Sequence, residues 1–205
     1  RPWYGLYFGA AEANLFLAEF KLLGANLPQS AEYYYNRGVR FSVEEYDKLA
    51  ELNQIAYYGT TYDYDPHEVS IELKDGEIDT MMENEDYKLT GSAAEQLEKV
   101  YIQQMLNYTL YPDELYVTAR RSGLPKFGSN LISRENFSLV PVTNIPRRLD
   151  TDLPLETDLM YKNKVEAFQR QGFTPTAAGP NGPTLNAERV WQDKGAPQWG
   201  EGPKE

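Results

Sequence analysis

Residues 92–125 read SAAEQLEKVYIQQMLNYTLYPDELYVTARRSGLP. Ser92 is a good N-cap, and Glu95 three residues on completes a capping box. Leu97, Val100, Tyr101, Met105 and Tyr108 follow at helical spacing and predict one apolar stripe. Pro112, Asp113 and Glu114 suit the first turn of a second helix, where a missing N–H costs little and negative charge meets the positive end of the dipole. Leu115, Tyr116 and Ala119 are its expected inner face, and Arg120 and Arg121 its last turn. Gly123 is a natural residue just past the helix end, before Pro125. The segment is therefore a helix, a corner and a helix, and the remaining chain is expected to supply surfaces for it.

Upstream, Gly9–Leu23 predicts a helix with Ala11, Leu15, Ala18 and Leu22 on one face, stopped by Gly24. Ser30 caps the next helix, which is expected to end near Ser42, with Tyr34, Gly38 and Phe41 on one side. Gly38 marks either a close helix contact or a weak point. Ser42 and Glu45 form another capping box, predicting a third helix over 43–53. Two helices meeting through small residues are what a TPR-like hairpin needs, although no fixed-period repeat is visible. Tyr57–Leu89 breaks helical periodicity. His67–Leu73 alternates at period two and Lys74-Asp75-Gly76-Glu77 signals a turn, so a small β-hairpin or an extended excursion between helices is expected there. Residues 126–146 read as loop with an extended piece at Phe137–Val142. Leu155–Gly172 holds a helix with Val165 and Phe168 inward, and 173–205 reads as an irregular Pro/Gly-rich tail. The class is mainly α, in one unit.

Composition narrows the function. With 205 residues, 41% hydrophobic, the chain can bury a real core. A net charge of −11 argues against a nucleic-acid binder, which needs clustered Lys and Arg. No run is long enough to span a membrane. Cysteine is absent, which excludes disulfides and thiolate metal sites within this sequence. Tyrosine outnumbers phenylalanine, 16 to 8, which suits a wet binding surface or a Tyr-lined helical interface.

The hairpin's words carry a resemblance. Glu95-Gln96-Leu97-Glu98, Gln103-Gln104-Met105, Tyr111-Pro112-Asp113 and Arg120-Arg121-Ser122-Gly123-Leu124-Pro125 resemble the C-terminal region of SusD/RagB-type nutrient-binding lipoproteins. Gln104-Met105 stands where that family has Lys-Trp, and Ser122 where it has Thr. Ile145-Pro146-Arg147-Arg148-Leu149 resembles its Pro-Arg-Arg-Leu segment, and Arg189–Gly195 its closing Arg-Val-Trp-Trp-Asp-Lys, with Gln192 for a Trp. Ala11-Glu12-Ala13 with Phe16–Glu19, and Tyr34–Val39 with Ser42, resemble its upstream helices. The blocks occur in family order across nearly the whole chain.

The resemblance implies a lipid-anchored protein of the outer-membrane surface of Bacteroidota. Such a protein binds glycans or peptides without cleaving them and sits as a lid on a SusC-like TonB-dependent transporter. Family members are longer and begin with a lipoprotein signal and an acylated Cys. Arg1-Pro2-Trp3 is read as opening directly into folded sequence, so the chain is expected to be a C-terminal portion or the ordered part of a longer protein, its anchor carried elsewhere. A helical scaffold making only protein contacts is the alternative, and a carbohydrate-active enzyme a third.

Several residue groups are weighed for chemistry. The loop cluster Tyr57, Tyr58, Tyr62, Asp63 and Tyr64 is the preferred ligand surface, since pyranose C–H faces pack on aromatic faces. Trp3 and Tyr4 have the same capacity. Arg120-Arg121 and Arg147-Arg148 either clamp an anion or tie loop carbonyls and carboxylates together, and the structural role is preferred in so acidic a chain. Trp191 and Trp199 are partner-interface candidates that equally suit pinning the tail to its own domain. Asp63, Asp65, Glu83, Glu85 and Asp86 offer oxygen ligands for Ca²⁺ but lack EF-hand spacing, so a solvated acidic loop is the preferred reading. Neighbouring carboxylates such as Glu44-Glu45 point in different directions on a helix, and His67 is the only histidine. No catalytic residue, metal or cofactor is therefore expected.

Overall fold

The computed structural model describes residues 8–62, 64, 69–133, 147–148, 153–174 and 187–203. The chain forms two compact units, Arg1–Ala119 with Pro203–Glu205, and Arg120–Gly202. Six α-helices are described: α1 (Ala10–Leu22), α2 (Ala31–Leu52), α3 (Glu77–Met82), α4 (Ala93–Asn107), α5 (Pro112–Ser122) and α6 (Tyr161–Gln171). No strand occurs among the described residues; an isolated bridge pairs Lys126 with Ser133. The protein is mainly α.

In the first unit, α1 and α2 make the dominant packing and α4 lies against α1. Gly38 is the close contact. A Cβ there would meet Leu15 Cγ at 2.7 Å and the Leu15 backbone nitrogen at 3.2 Å. Around that point Leu15, Ala18, Tyr34, Tyr35, Val39, Leu89 and Val100 form the core, flanked by Met81, Met82 and Tyr87. Burial pushes the Tyr35 hydroxyl well above its ordinary range, with Tyr87 adding to the effect, so it stays protonated.

α2 corrects one expectation. It is a single helix of 22 residues that runs straight through Ser42. Ser30 caps it, its Oγ accepting from Tyr33 N–H at 3.1 Å. Nothing between Phe41 and Glu45 breaks the helical ladder, and Ser42 is buried in mid-helix, so Ser-x-x-Glu caps nothing there. The β-hairpin is a second correction. Val69–Leu73 is described without strand structure, and Val69 and Ile71 are exposed with no partner strand among the described residues. The turn at Lys74–Glu77 opens α3 instead. Gly76 sits at φ 83°, and Lys74 N–H donates to Glu77 Oε2 at 2.8 Å.

α4 carries both halves of its capping box: Glu95 N–H donates to Ser92 Oγ at 3.3 Å, and Ser92 N–H to Glu95 Oε2 at 2.8 Å. Its buried face holds Leu97, Val100 and Tyr101, continued by Tyr108 just past its end, but Met105 is only half-buried. Gln104 takes a place in the stripe because it and Tyr101 face a buried carboxylate on α1. Tyr101 Oη–H donates to Glu19 Oε1 at 3.0 Å, and Gln104 Nε2–H to Glu19 Oε2 at 2.8 Å. On α5 the buried positions are Thr118, Ala119 and Ser122, with Leu115 half-buried; Tyr116, one position off that row, is exposed.

In the second unit α6 begins at Tyr161, with Phe168 buried and Val165 half-buried. Trp191–Asp193 forms a short 3-10 turn in a tail otherwise without regular structure where it is described. Phe137–Val142 lies outside the described residues.

Candidate functional site

The tyrosine loop follows α2 in the first unit. Tyr57 has φ 71°, a left-handed backbone that an L side chain seldom adopts. Its ring meets Tyr62 edge-on, centroids 4.8 Å apart and planes at 78°. Tyr62 in turn lies 5.5 Å from Tyr64, tilted at 38°. Tyr57 and Tyr62 are half-buried, whereas Tyr64 is 78% exposed. Three of the expected ligand residues thus form one aromatic ladder rising to solvent. Tyr58 does not join it. Its hydroxyl donates to Asp47 Oδ2 at 3.1 Å, and burial, then Asp47, hold it above the ordinary tyrosine range. Asp63 lies outside the described residues, as do Trp3, Tyr4, Asp65 and His67.

Beside the ladder, α2, α4 and the segment Ile71–Tyr87 enclose a pocket of about 410 Å³. Val39, Val43, Leu73, Met81 and Leu106 give it apolar walls, and Tyr46, Asp47 and Gln103 polar points. Tyr46 Oη–H donates to Asn107 O at 2.9 Å, and burial raises its pKa. This pocket was not legible in the sequence, because its walls run from Val39 to Leu106, residues far apart in the chain.

Arg120, Arg147, Arg148 and Arg189 of the second unit turn toward its interior. Arg147 is fully buried, and its Nη1–H groups donate to Arg120 O at 2.9 Å and Asp193 Oδ1 at 3.2 Å. Its Nη2 donates to Pro197 O, and its guanidinium lies 5.6 Å from the Trp199 ring centroid. Arg120 Nε–H donates to the same Asp193 oxygen at 3.1 Å, and its Nη2 to Arg147 O. Arg189 Nη1–H reaches Asp193 O and Ala196 O at 3.0 and 2.7 Å. Arg148 donates to Glu188 Oε2 from Nε at 2.9 Å and lies over Phe173. Burial works to raise the Glu188 pKa, but hydrogen bonds from Thr174 and Arg148 outweigh it and hold the carboxyl low. Arg121 is half-buried. Trp199 is buried within this unit at 5% exposure, whereas Trp191 is 72% exposed.

Of the Ca²⁺ candidates, Glu85 pairs with Lys88 Nζ at 2.5 Å, which lowers its pKa. Among the described residues no group of three or more His, Cys, Asp or Glu side chains converges on a metal position. No helix among them is long and apolar enough to cross a membrane.

Fold and site together define a helical scaffold that displays a loop-borne aromatic surface. Residues 4–166 match the family model described as SusD-like, the Susd and RagB outer membrane lipoproteins, and the chain belongs to that family. No curated protein matches it. Among solved structures it is similar to a protein described as a chitin-binding protein, with TM-score 0.52 and 24% identity. That match covers 90% of this chain and 32% of the other, so the chain spans about a third of that protein's length. The likeness is one of fold.

Proposed function

We propose that the protein is a non-catalytic nutrient binder. It holds a glycan or peptide at the outer-membrane surface, anchored by lipid, and delivers it to a SusC-like TonB-dependent transporter. The observation that carries this reading is the Tyr57–Tyr62–Tyr64 ladder, whose outermost ring is open to solvent. Sugar C–H faces stack on such rings without needing charge or metal. Family membership supports the membrane surface and the transporter. The description of the fold neighbour as chitin-binding supports a glycan over a peptide. On this reading the arginine pairs and Trp199 hold the tail in place, and Trp191 is left as the residue that meets a partner. No cofactor takes part.

The test is purification from detergent-solubilised outer membrane of the native host. The protein is expected to come down with a large β-barrel transporter, and oligosaccharide incubated with it to be recovered at full length. Recovery of the protein alone in a soluble fraction, or shortening of the oligosaccharide, overturns the reading.

A further inference from the structure

Two sides of the tyrosine excursion meet at a narrow neck. Tyr57 C=O accepts from Ile71 N–H at 3.0 Å and from Ser70 Oγ–H at 3.3 Å. Gly59 N–H donates to Glu72 Oε2 at 3.1 Å. These bonds tie the outgoing strand of chain to the returning one, but they do not fix the neck to the helices.

Among the described residues, Asp47 links both sides of the neck to α2. Asp47 on α2 accepts from Leu73 N–H through Oδ1 at 2.8 Å, and from the Tyr58 hydroxyl through Oδ2 at 3.1 Å. Its two oxygens therefore take one donor from each side of the neck. Hydrogen bonds to a carboxylate are stronger than neutral ones, and a two-point contact fixes orientation as well as distance. Asp47 also lines the 410 Å³ pocket, whose walls Ile71 and Leu73 belong to the returning side. The same clasp thus sets where the pocket wall stands and where the ladder begins.

We infer that Asp47 is a positioning residue for ligand binding: it clasps the neck to α2 and so holds the Tyr57–Tyr62–Tyr64 ladder in the register in which it meets a sugar chain. The inference rests on the proposed binding role of that ladder. Tyr57, next to the clasped Tyr58, has a left-handed backbone, a conformation that persists only where surrounding contacts hold it. Preorganisation of this kind raises affinity by removing ordering cost at the moment of binding.

Two readouts on the full chain separate the clasp from the binding role. The first is the ¹⁹F resonance of Tyr64 labelled as 3-fluorotyrosine, which senses the Tyr62 ring. In Asp47→Ala it is expected to move toward its position in Tyr62→Ala, while far-ultraviolet circular dichroism stays that of the parent. Asp47→Asn, which keeps an oxygen for Leu73 N–H, should move it less. The second readout is calorimetric titration with chitohexaose, cellohexaose and maltohexaose. Whichever of these the parent binds should bind Asp47→Ala about tenfold more weakly or worse, with Asp47→Asn in between. An unmoved resonance in Asp47→Ala overturns the clasp, and a moved resonance with unchanged affinity overturns its role in binding. If the parent binds none of the three sugars, the ladder's glycan role fails while the resonance still reports on the clasp. Should Asp47→Ala not fold, Tyr58→Phe removes a single donor to the same carboxylate and is read in the same way.

Discussion

Arg147 has no exposed surface, and the carboxylate of Asp193 is what makes its burial tolerable. Breaking a buried pair leaves an uncompensated charge and costs about 3–5 kcal/mol, far more than an exposed pair is worth. Asp193→Ala is therefore predicted to destabilise the second unit by about that amount, read by denaturant unfolding followed through tryptophan fluorescence. A loss below about 1 kcal/mol would put the pair in the class of weak surface contacts. Glu188 gives a pH prediction. Its folded pKa is depressed, so its stabilisation is present above the ordinary glutamate range and lost as pH falls through that range and below. The thermal midpoint should fall on acidification below about pH 4.3, and Glu188→Gln should flatten that slope. At this scale the residue types were legible but the partners were not. The two Arg-Arg words announce clasps, yet Asp193 lies 46 residues from Arg147, and Glu188 lies 40 from Arg148.

Gly38 links residue to element. A Cβ at 2.7 Å from Leu15 Cγ forces α1 and α2 apart. Overpacking costs about 1–3 kcal/mol, and the helix-propensity gain from Gly to Ala returns only about 1. Gly38→Ala should lose up to about 2 kcal/mol by chemical denaturation, and a net gain would show the interface is slacker than the distances say. Ser92→Ala removes one half of a complete capping box and should cost about 1 kcal/mol. The ends of α4 and α5 were readable because cap, Pro112 and Gly123 act within a few residues of themselves. The run of α2 through Ser42 was not, because Ser-x-x-Glu caps a helix only where the backbone has already turned. The β-hairpin form of the excursion failed for a related reason. Alternation at Val69–Leu73 predicts a strand only if something pairs with it, and the turn that follows opens α3.

For the whole molecule, the mainly helical class and the family were legible in short words spread over nearly the full chain. The polar side of the core was hidden: Glu19 is buried because Tyr101 and Gln104, 82 and 85 residues on, supply its donors. The proposed binding surface was half visible. A run of tyrosines in a loop could be seen, but not that Tyr58 turns away to Asp47 while the other three stack. The central claim is that this ladder holds a sugar chain and leaves it intact. Calorimetric titration of the full chain with the same hexasaccharides, repeated on Tyr62→Ala and Tyr64→Ala, tests it directly. Aromatics that stack on nucleobases contribute about 1–3 kcal/mol each; on that scale binding by the parent should weaken about five- to a hundredfold in both variants. Parent-like affinity in both would contradict the account.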